Sequence, residues 1–350
     1  MENLQQRYER LTERTIDLMW RQWLSLGANL SGDPARRAMI DPEALLMATC
    51  TVGRYDTRLF DEAMDWLGGN YSRLSSSRMV QVMSAYPVED QRVLAAVEQW
   101  VSKFADVETV VKGVRSKVER PPENETRWLW LPERKATPSR PDEIFEAWGY
   151  LRGAPRIRRH SGSPDLKNEA NVMLTARAMF GKGARADVLA YLCCSEKGSK
   201  NTLSISKKVK YDQKAVYRAL VQLTETGVVE NLQPGGRGAA GYYRIKGEAL
   251  LRSLDIKKPI FVNWADLFFA IDRVLADRRN NAADYSSDVL GGERARRLTG
   301  SMVQMIRKSC DVLAETPLPD IRHKSPRRFV DELLGFLEQA LSETEKLMRK

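Results

Sequence analysis

The sequence has few of the residues that build metal centres and catalytic sites. Its 350 residues include four cysteines and two histidines, the latter being His160 and His323. The cysteines are Cys50, the adjacent pair Cys193–Cys194, and Cys310, so none has the Cys-x-x-Cys spacing of a zinc or redox motif. We therefore expect no metal, no other cofactor and no disulfide framework. Such cysteine usage fits reduced thiols, and we expect a bacterial cytoplasmic setting.

The sequence also lacks the short motifs that mark common enzyme sites. The Gly-Gly-Arg-Gly run at 235–238 has neither the spacing nor the Lys-Ser/Thr pair of a phosphate-binding loop. No Gly-x-Ser-x-Gly nucleophile turn is present. Acidic residues such as Asp61 and Asp65 share a helix face, but acidic pairs of this kind usually face solvent. With no convergent set of catalytic groups, we predict that the protein is not an enzyme.

Long apolar runs are missing as well. No run is long enough to span a bilayer, and the amino terminus has no apolar signal core, so we expect no membrane association. Hydrophobic residues make up 43% and charged residues 29%, as in ordinary globular proteins. The chain carries a net charge of +10. Such a charge favours a polyanionic partner, and nucleic acid is the first candidate.

What the sequence does contain is a central stretch, from Ala184 to Ile245, with three short amphipathic segments. Asp212 is placed to cap the third segment, and Gly227 to end it. Residues 228–230 and 242–245 have the β-branched and tyrosine content of strands, with a glycine-rich turn between them. The apolar positions, which can be buried only against one another, are Val188, Leu189, Leu192, Ile205, Val209, Val216, Leu220 and Leu223.

This order of segments resembles the bacterial winged helix-turn-helix regulators of the MarR-like kind, over about residues 166–246. The resemblance implies double-stranded DNA as the ligand, with the third helix in the major groove. Glutamine and arginine can make bidentate contacts to base edges there, while lysine suits phosphate. Arg237 would reach the minor groove or the backbone from the tip of the wing. The DNA-binding residues predicted in this way are Lys207, Lys208, Lys210, Tyr211, Gln213, Lys214, Tyr217, Arg218 and Arg237.

The charge distribution agrees with this interpretation. Residues 197–245 hold nine basic and three acidic residues, whereas residues 1–110 hold twelve basic and sixteen acidic ones. A basic cluster on a helix-turn-helix is the expected electrostatic footprint of a DNA-binding protein. Winged helices also serve as protein-interaction modules, and lysines commonly just solvate a surface, so that alternative stays open.

We predict a mainly α-helical protein with four parts. A helical amino-terminal domain covers residues 1–110, and a proline-rich but ordered connector covers 111–165. The winged helix-turn-helix with a two-stranded wing covers 166–250, and a helical bundle covers 251–350. In the connector, the arginine run at 152–159 has two interpretations of equal weight: it contacts phosphate, or it is a solvated loop.

The function predicted from these features is sequence-specific binding of double-stranded DNA by a homodimer that regulates transcription, as a repressor. The broad apolar stripes of the first helix and of the carboxy-terminal helices are candidates for the dimer seam. The alternative is a scaffold or antitoxin-like subunit of a defence or toxin–antitoxin assembly, with a protein partner on the amino-terminal domain. A third alternative is a regulator that senses a small effector, although no polar constellation in the sequence marks a pocket.

Overall fold

The computed structural model describes residues 3–86, 90–104, 113–122, 125–132, 138, 140–195, 198–232, 241–246, 256–317, 319 and 325–349. These residues form fourteen α-helices and five short strands. The predicted mainly α-helical class is therefore confirmed.

Five helices build the amino-terminal part. Most of them begin at a side chain that caps the first turn: the carboxylates of Asp41 and Asp56 and the hydroxyl of Ser75 accept backbone N–H groups at three helix starts. Such caps satisfy donors that the helix leaves unpaired. The helices are α1 (Leu4–Ser25), α2 (Pro42–Cys50), α3 (Thr57–Asn70), α4 (Ser76–Ala85) and α5 (Gln91–Phe104).

The described part of the connector packs on these helices. Its helix α6 (Glu143–Ala147) lies between two short parallel strands, β1 (Arg127–Trp128) and β2 (Tyr150–Leu151). Leu129 and Phe145 are fully buried in the same hydrophobic core as the amino-terminal helices. The apolar residues between the prolines are therefore covered by the body of the protein.

A second hydrophobic core lies in the middle of the chain. Its strands form one antiparallel sheet in the order β3-β5-β4, with Val229 opposite Ile245 and Lys200 opposite Tyr243. We predicted two strands here, and the described sheet has a third because residues 200–201 pair with the last strand. The predicted turn at 233–240 lies outside the described residues. The elements are α7 (Val172–Phe180), α8 (Ala184–Cys194), α9 (Thr202–Val209), α10 (Gln213–Glu225), β3 (Lys200–Asn201), β4 (Val229–Asn231) and β5 (Tyr242–Ile245).

The described residues after the sheet form four more helices: α11 (Trp264–Asn280), α12 (Asp288–Arg307), α13 (Asp311–Ala314) and α14 (Pro326–Arg349). Helices α12 and α14 pack tightly, and a Cβ added at Gly292 would lie 2.2 Å from the Cβ of Pro326. Only glycine allows so close an approach. Helix α14 also lies along α1, where the guanidinium of Arg10 contacts the carboxylate of Glu338 at 2.7 Å.

The two hydrophobic cores do not follow the predicted domain boundaries. The first core joins α1–α5, the connector and α11–α14, since side chains from Tyr8 to Met348 belong to it. The second core contains residues of 172–256 together with Met39. Residues 1–110 and 251–350, which we assigned to separate domains, thus share one core because the apolar stripes of α1 and α14 face each other. We call this shared part the helical body, and residues 172–246 the central module.

Candidate functional site

Helix α10 carries four of the nine residues predicted to contact DNA. Its N-cap is Asp212, whose carboxylate accepts the backbone N–H of Ala215 at 2.9 Å. Its inner face is Val216, Ala219, Leu220 and Leu223, all buried in the core of the central module. Because those side chains recur at helical spacing, the remaining positions of the helix must face outward.

The outer face of α10 is polar and basic. Gln213, Lys214, Tyr217 and Arg218 are all exposed, and Tyr217 keeps 52% of its surface. Within the described residues, neither Lys214 nor Arg218 has an ion pair or a side-chain hydrogen bond. We call these four side chains the open face of α10, and a ligand could meet them without breaking a hydrogen bond or ion pair among the described residues.

Helix α9 presents one further exposed cation and one that is already engaged. Lys207 is exposed. Lys208 is half-buried, and its ammonium donates to the backbone carbonyl of Lys308 and lies 5.7 Å from the centre of the Phe261 ring. Lys208 therefore attaches α9 to the helical body.

Lys210, in the turn between α9 and α10, faces the helical body. Its backbone is left-handed, with φ of 57°, a conformation uncommon outside glycine. The ammonium lies 3.4 Å from the carboxylate of Asp266 on α11 and 4.5 Å from the centre of the Tyr86 ring. Burial lowers the pKa of Lys210 although Asp266 opposes that shift. Lys210 is therefore an anchor of the turn.

Tyr211 is buried in the central module. Its hydroxyl donates to the carboxylate of Asp187 at 2.9 Å. We predicted that Lys208, Lys210 and Tyr211 contact DNA. Their side chains lie within the module or at its seam with the body, away from the open face of α10. Arg237, predicted at the tip of the wing, lies outside the described residues.

Beneath the turn lies a buried ion network of five residues: Asp41, Glu43, Arg78, Arg177 and Asp187. Arg78 on α4 donates to both carboxylate oxygens of Asp41, at 2.6 and 2.5 Å, and to Glu43 at 2.7 Å. Arg177 on α7 donates to Glu43 at 2.7 and 3.0 Å and to Asp187 at 2.8 and 2.9 Å. Two arginines and three carboxylates thus satisfy one another away from solvent.

The network joins the central module to the helical body. Asp41, Glu43 and Arg78 belong to the body, whereas Arg177 and Asp187 belong to the module. Burial opposes the charge of Glu43, but Arg177 and Arg78 outweigh it and lower its pKa to about 2. Breaking one partner of such a set leaves an uncompensated charge in a medium of low polarity. The orientation of the module on the body is therefore specified by charge pairs.

Arg78 extends the network to the end of α9. Its Nε atom donates to the backbone carbonyl of Val209 at 3.1 Å. The last carbonyls of a helix have no partner within the helix, so this contact satisfies one of them. The body consequently holds the turn through Arg78 as well as through Lys208 and Lys210.

For the arginine run of the connector, residues 152–159, the sequence left open a phosphate contact or a solvated loop. The residues of the run differ in their surroundings. Arg152 is buried, with its guanidinium 2.7 Å from Asp61 and 5.0 Å from the centre of the Phe145 ring. The exposed residues Arg158 and Arg159 belong to a turn whose backbone N–H groups bind the carboxylate of Asp65, along with those of the next two residues. Arg152 is structural. The guanidinium of Arg158 is exposed but lies 3.7 Å from the carboxylate of Glu62.

Comparison with known proteins does not assign a family or a function to the chain. No protein-family model, curated protein or solved structure matches the chain. The interpretation of the site therefore depends on its own residues.

The described part of the chain contains no group of three or more metal-binding side chains. All four cysteines are buried thiols outside any disulfide, and burial raises the pKa of Cys193 to about 12. No helix among the described residues has the length and apolar character needed to span a bilayer.

Proposed function

We propose that the central module is a winged helix-turn-helix of the MarR-like kind and that the protein binds double-stranded DNA through the open face of α10. The observation that carries the proposal is the division of α10 into a buried apolar face and an outer face whose cations have no partner within the described residues. An exposed basic helix on a compact helical unit is suited to the major groove, which admits one α-helix.

The residues of the open face differ in what they can recognise. The fork of Arg218 matches the two acceptors of guanine, and the amide of Gln213 matches adenine. The ammonium of Lys214 suits a phosphate, as does that of Lys207 on α9. We assign sequence recognition to the first two residues and affinity to the lysines.

A single module offers a small interface, and specific affinity usually requires two half-sites. We therefore propose that the protein acts as a homodimer that regulates transcription, as a repressor. The net charge of +10 supports a polyanionic partner for the chain as a whole.

One observation favours a second candidate function. The central module also exposes apolar surface at Leu203 (49%), Tyr217 (52%) and Tyr242 (37%). Exposed aliphatic and aromatic side chains suit a protein partner, so the alternative is a scaffold within a multi-protein assembly.

The decisive experiment is a binding assay on DNA selected from a random pool, compared with random-sequence duplex across a salt series. We expect tight, salt-dependent binding that the double variant Gln213→Ala/Arg218→Ala reduces to the level of random DNA. The matched control is Arg36→Ala, an exposed arginine in the loop before α2. If the parent protein does not bind duplex DNA even at low salt, the DNA proposal fails and the scaffold takes its place.

A further inference from the structure

A surface cleft of about 900 Å³ separates the α9–α10 turn from the helical body. Its walls come from α9, the turn, the end of α4, the start of α11 and the end of α12 with α13. The side chains that matter for its charge are Lys207, Lys208, Lys210, Asp212, Asp266, Arg307 and Lys308.

Two exposed lysines line the cleft, one from each part of the protein. Lys207 comes from α9 of the central module, and Lys308 follows the last residue of α12 in the body. Within the described residues, neither side chain has an ion pair or a hydrogen bond. Beside Lys308, the guanidinium of Arg307 donates to the neutral carbonyl of Ala314 at 2.9 Å. The cleft therefore displays cations from both parts of the protein.

The two carboxylates of the cleft are already engaged. Asp266 accepts the hydroxyl of Tyr86, the amide of Asn263 at 2.7 Å and the ammonium of Lys210. Asp212 caps α10. Lys210 offsets Asp266, so the four other basic residues stand against Asp212 alone and leave the cleft positive. An anion is the ligand that such a surface attracts.

The cleft borders the start of α10. Asp212 lines the cleft, and the next residue, Gln213, begins the open face. The contact of Lys208 with the carbonyl of Lys308 fixes the two walls to each other. A polyanion that lies along α10 and extends past its start would therefore contact the cleft. The walls of the cleft are already held together before the polyanion binds.

We propose that the helical body is part of the DNA-binding surface, and that this cleft holds the phosphodiester backbone beside the half-site read by α10. Lys308 and Arg307 of the body, with Lys207 of the module, contact those phosphates. This inference depends on the proposed function, because it extends the same DNA beyond the module. Contacts of this kind contribute affinity and position but no base discrimination.

The test is the salt dependence of DNA binding by the full chain carrying Lys308→Ala. Each lost phosphate contact lowers the slope of log K against log salt by about 0.9, so the change in Kd between 50 and 200 mM salt should shrink about threefold. Selected and random duplexes should be affected equally. Lys308→Arg should restore the slope of the parent. The matched control is Lys346→Ala, which removes the same charge from the far end of α14.

Two outcomes would overturn the inference. In the first, Lys308→Ala keeps the parent slope while Lys214→Ala lowers it, so that α10 binds DNA and the body does not. In the second, Lys308→Ala and Lys346→Ala lower the slope equally, so that only overall charge matters. A failure of the proposed function is distinguishable, because the parent protein would then not bind duplex DNA at all. Lys308 is exposed and its side chain makes no described contact, so thermal melts of the variant should match those of the parent.

Discussion

The open face of α10 and the buried ion network are both rich in charge, but the charges are exposed in the first and paired in the second. On the open face, Lys214 and Arg218 are exposed and have no described partner. In the network, Arg78 and Arg177 are fully covered and each arginine contacts two carboxylates at 3.0 Å or less. The first arrangement leaves binding energy for a ligand, whereas the second uses it to orient one part of the protein on another.

Counting charges along a sequence does not distinguish residues available to a ligand from residues paired inside the protein. Lys210 and Lys214 are four residues apart and contribute equally to the basic cluster of the central module. Only Lys214 faces solvent, because the left-handed turn directs Lys210 to Asp266 in the helical body. The number of basic residues in a segment is therefore an upper limit on the positive charge that it can offer to DNA.

The largest effect should come from the network. Arg177→Ala leaves Glu43 and Asp187 buried without their main partner, and removing one member of a buried ion pair typically costs about 3–5 kcal/mol. We expect a loss of that size in the free energy of unfolding, measured by urea denaturation. Arg185→Ala, an exposed arginine on α8, is the matched control and should change stability by less than about 0.5 kcal/mol. Equal stability of the two variants would show that the network is not a structural joint.

Acid should weaken the same network. The pKa of Glu43 is about 2 in the folded protein, below its usual value near 4.5, because Arg177 and Arg78 outweigh the cost of burial. A lowered pKa contributes stability above the unfolded value, and that stability is lost as the pH falls from about 4.5 towards 2. At about 1.4 kcal/mol per pKa unit, the loss approaches about 3 kcal/mol.

The measurement is the free energy of unfolding as a function of pH, compared with Glu43→Gln. The variant should be less stable at neutral pH, and it should lack that part of the acid dependence. Parallel pH profiles for the two proteins would assign the acid sensitivity to other carboxylates.

The open face should affect binding and leave stability unchanged. Arg218→Ala should weaken the preferred DNA site by about 1–3 kcal/mol and random DNA by less, because a bidentate contact to a base is lost. Anisotropy titrations on both duplexes measure the ratio. Thermal melts should match the parent, since Arg218 lies outside the buried face of α10. If both the affinity and the ratio of affinities for preferred and random DNA stay unchanged, Arg218 does not contact the DNA bases.

Local patterns predicted part of this architecture. The apolar spacing of α10 and its Asp212 cap are visible in the sequence because both depend on residues within a few turns. The shared core of α1 and α14 and the third strand of the sheet depend on pairings between distant segments, which periodicity does not specify. The network spans Asp41 to Asp187, and its one visible signal is a charged residue in an apolar helix, such as Arg177 in the run 172–180.

The smallest and sharpest effect compares two lysines of the same segment. Lys214→Ala should lower the slope of log K against log salt by about 0.9, as one phosphate contact is lost. Lys210→Ala should leave the slope unchanged, because its ammonium already contacts Asp266 and Tyr86 within the protein. It should lower the melting temperature instead, since Asp266 loses a partner in a half-buried seam. Because both variants remove one positive charge, overall electrostatics cancel in the comparison. If Lys210→Ala lowers the slope as much as Lys214→Ala does, Lys210 leaves its anchor when DNA binds, and the seam itself belongs to the DNA surface.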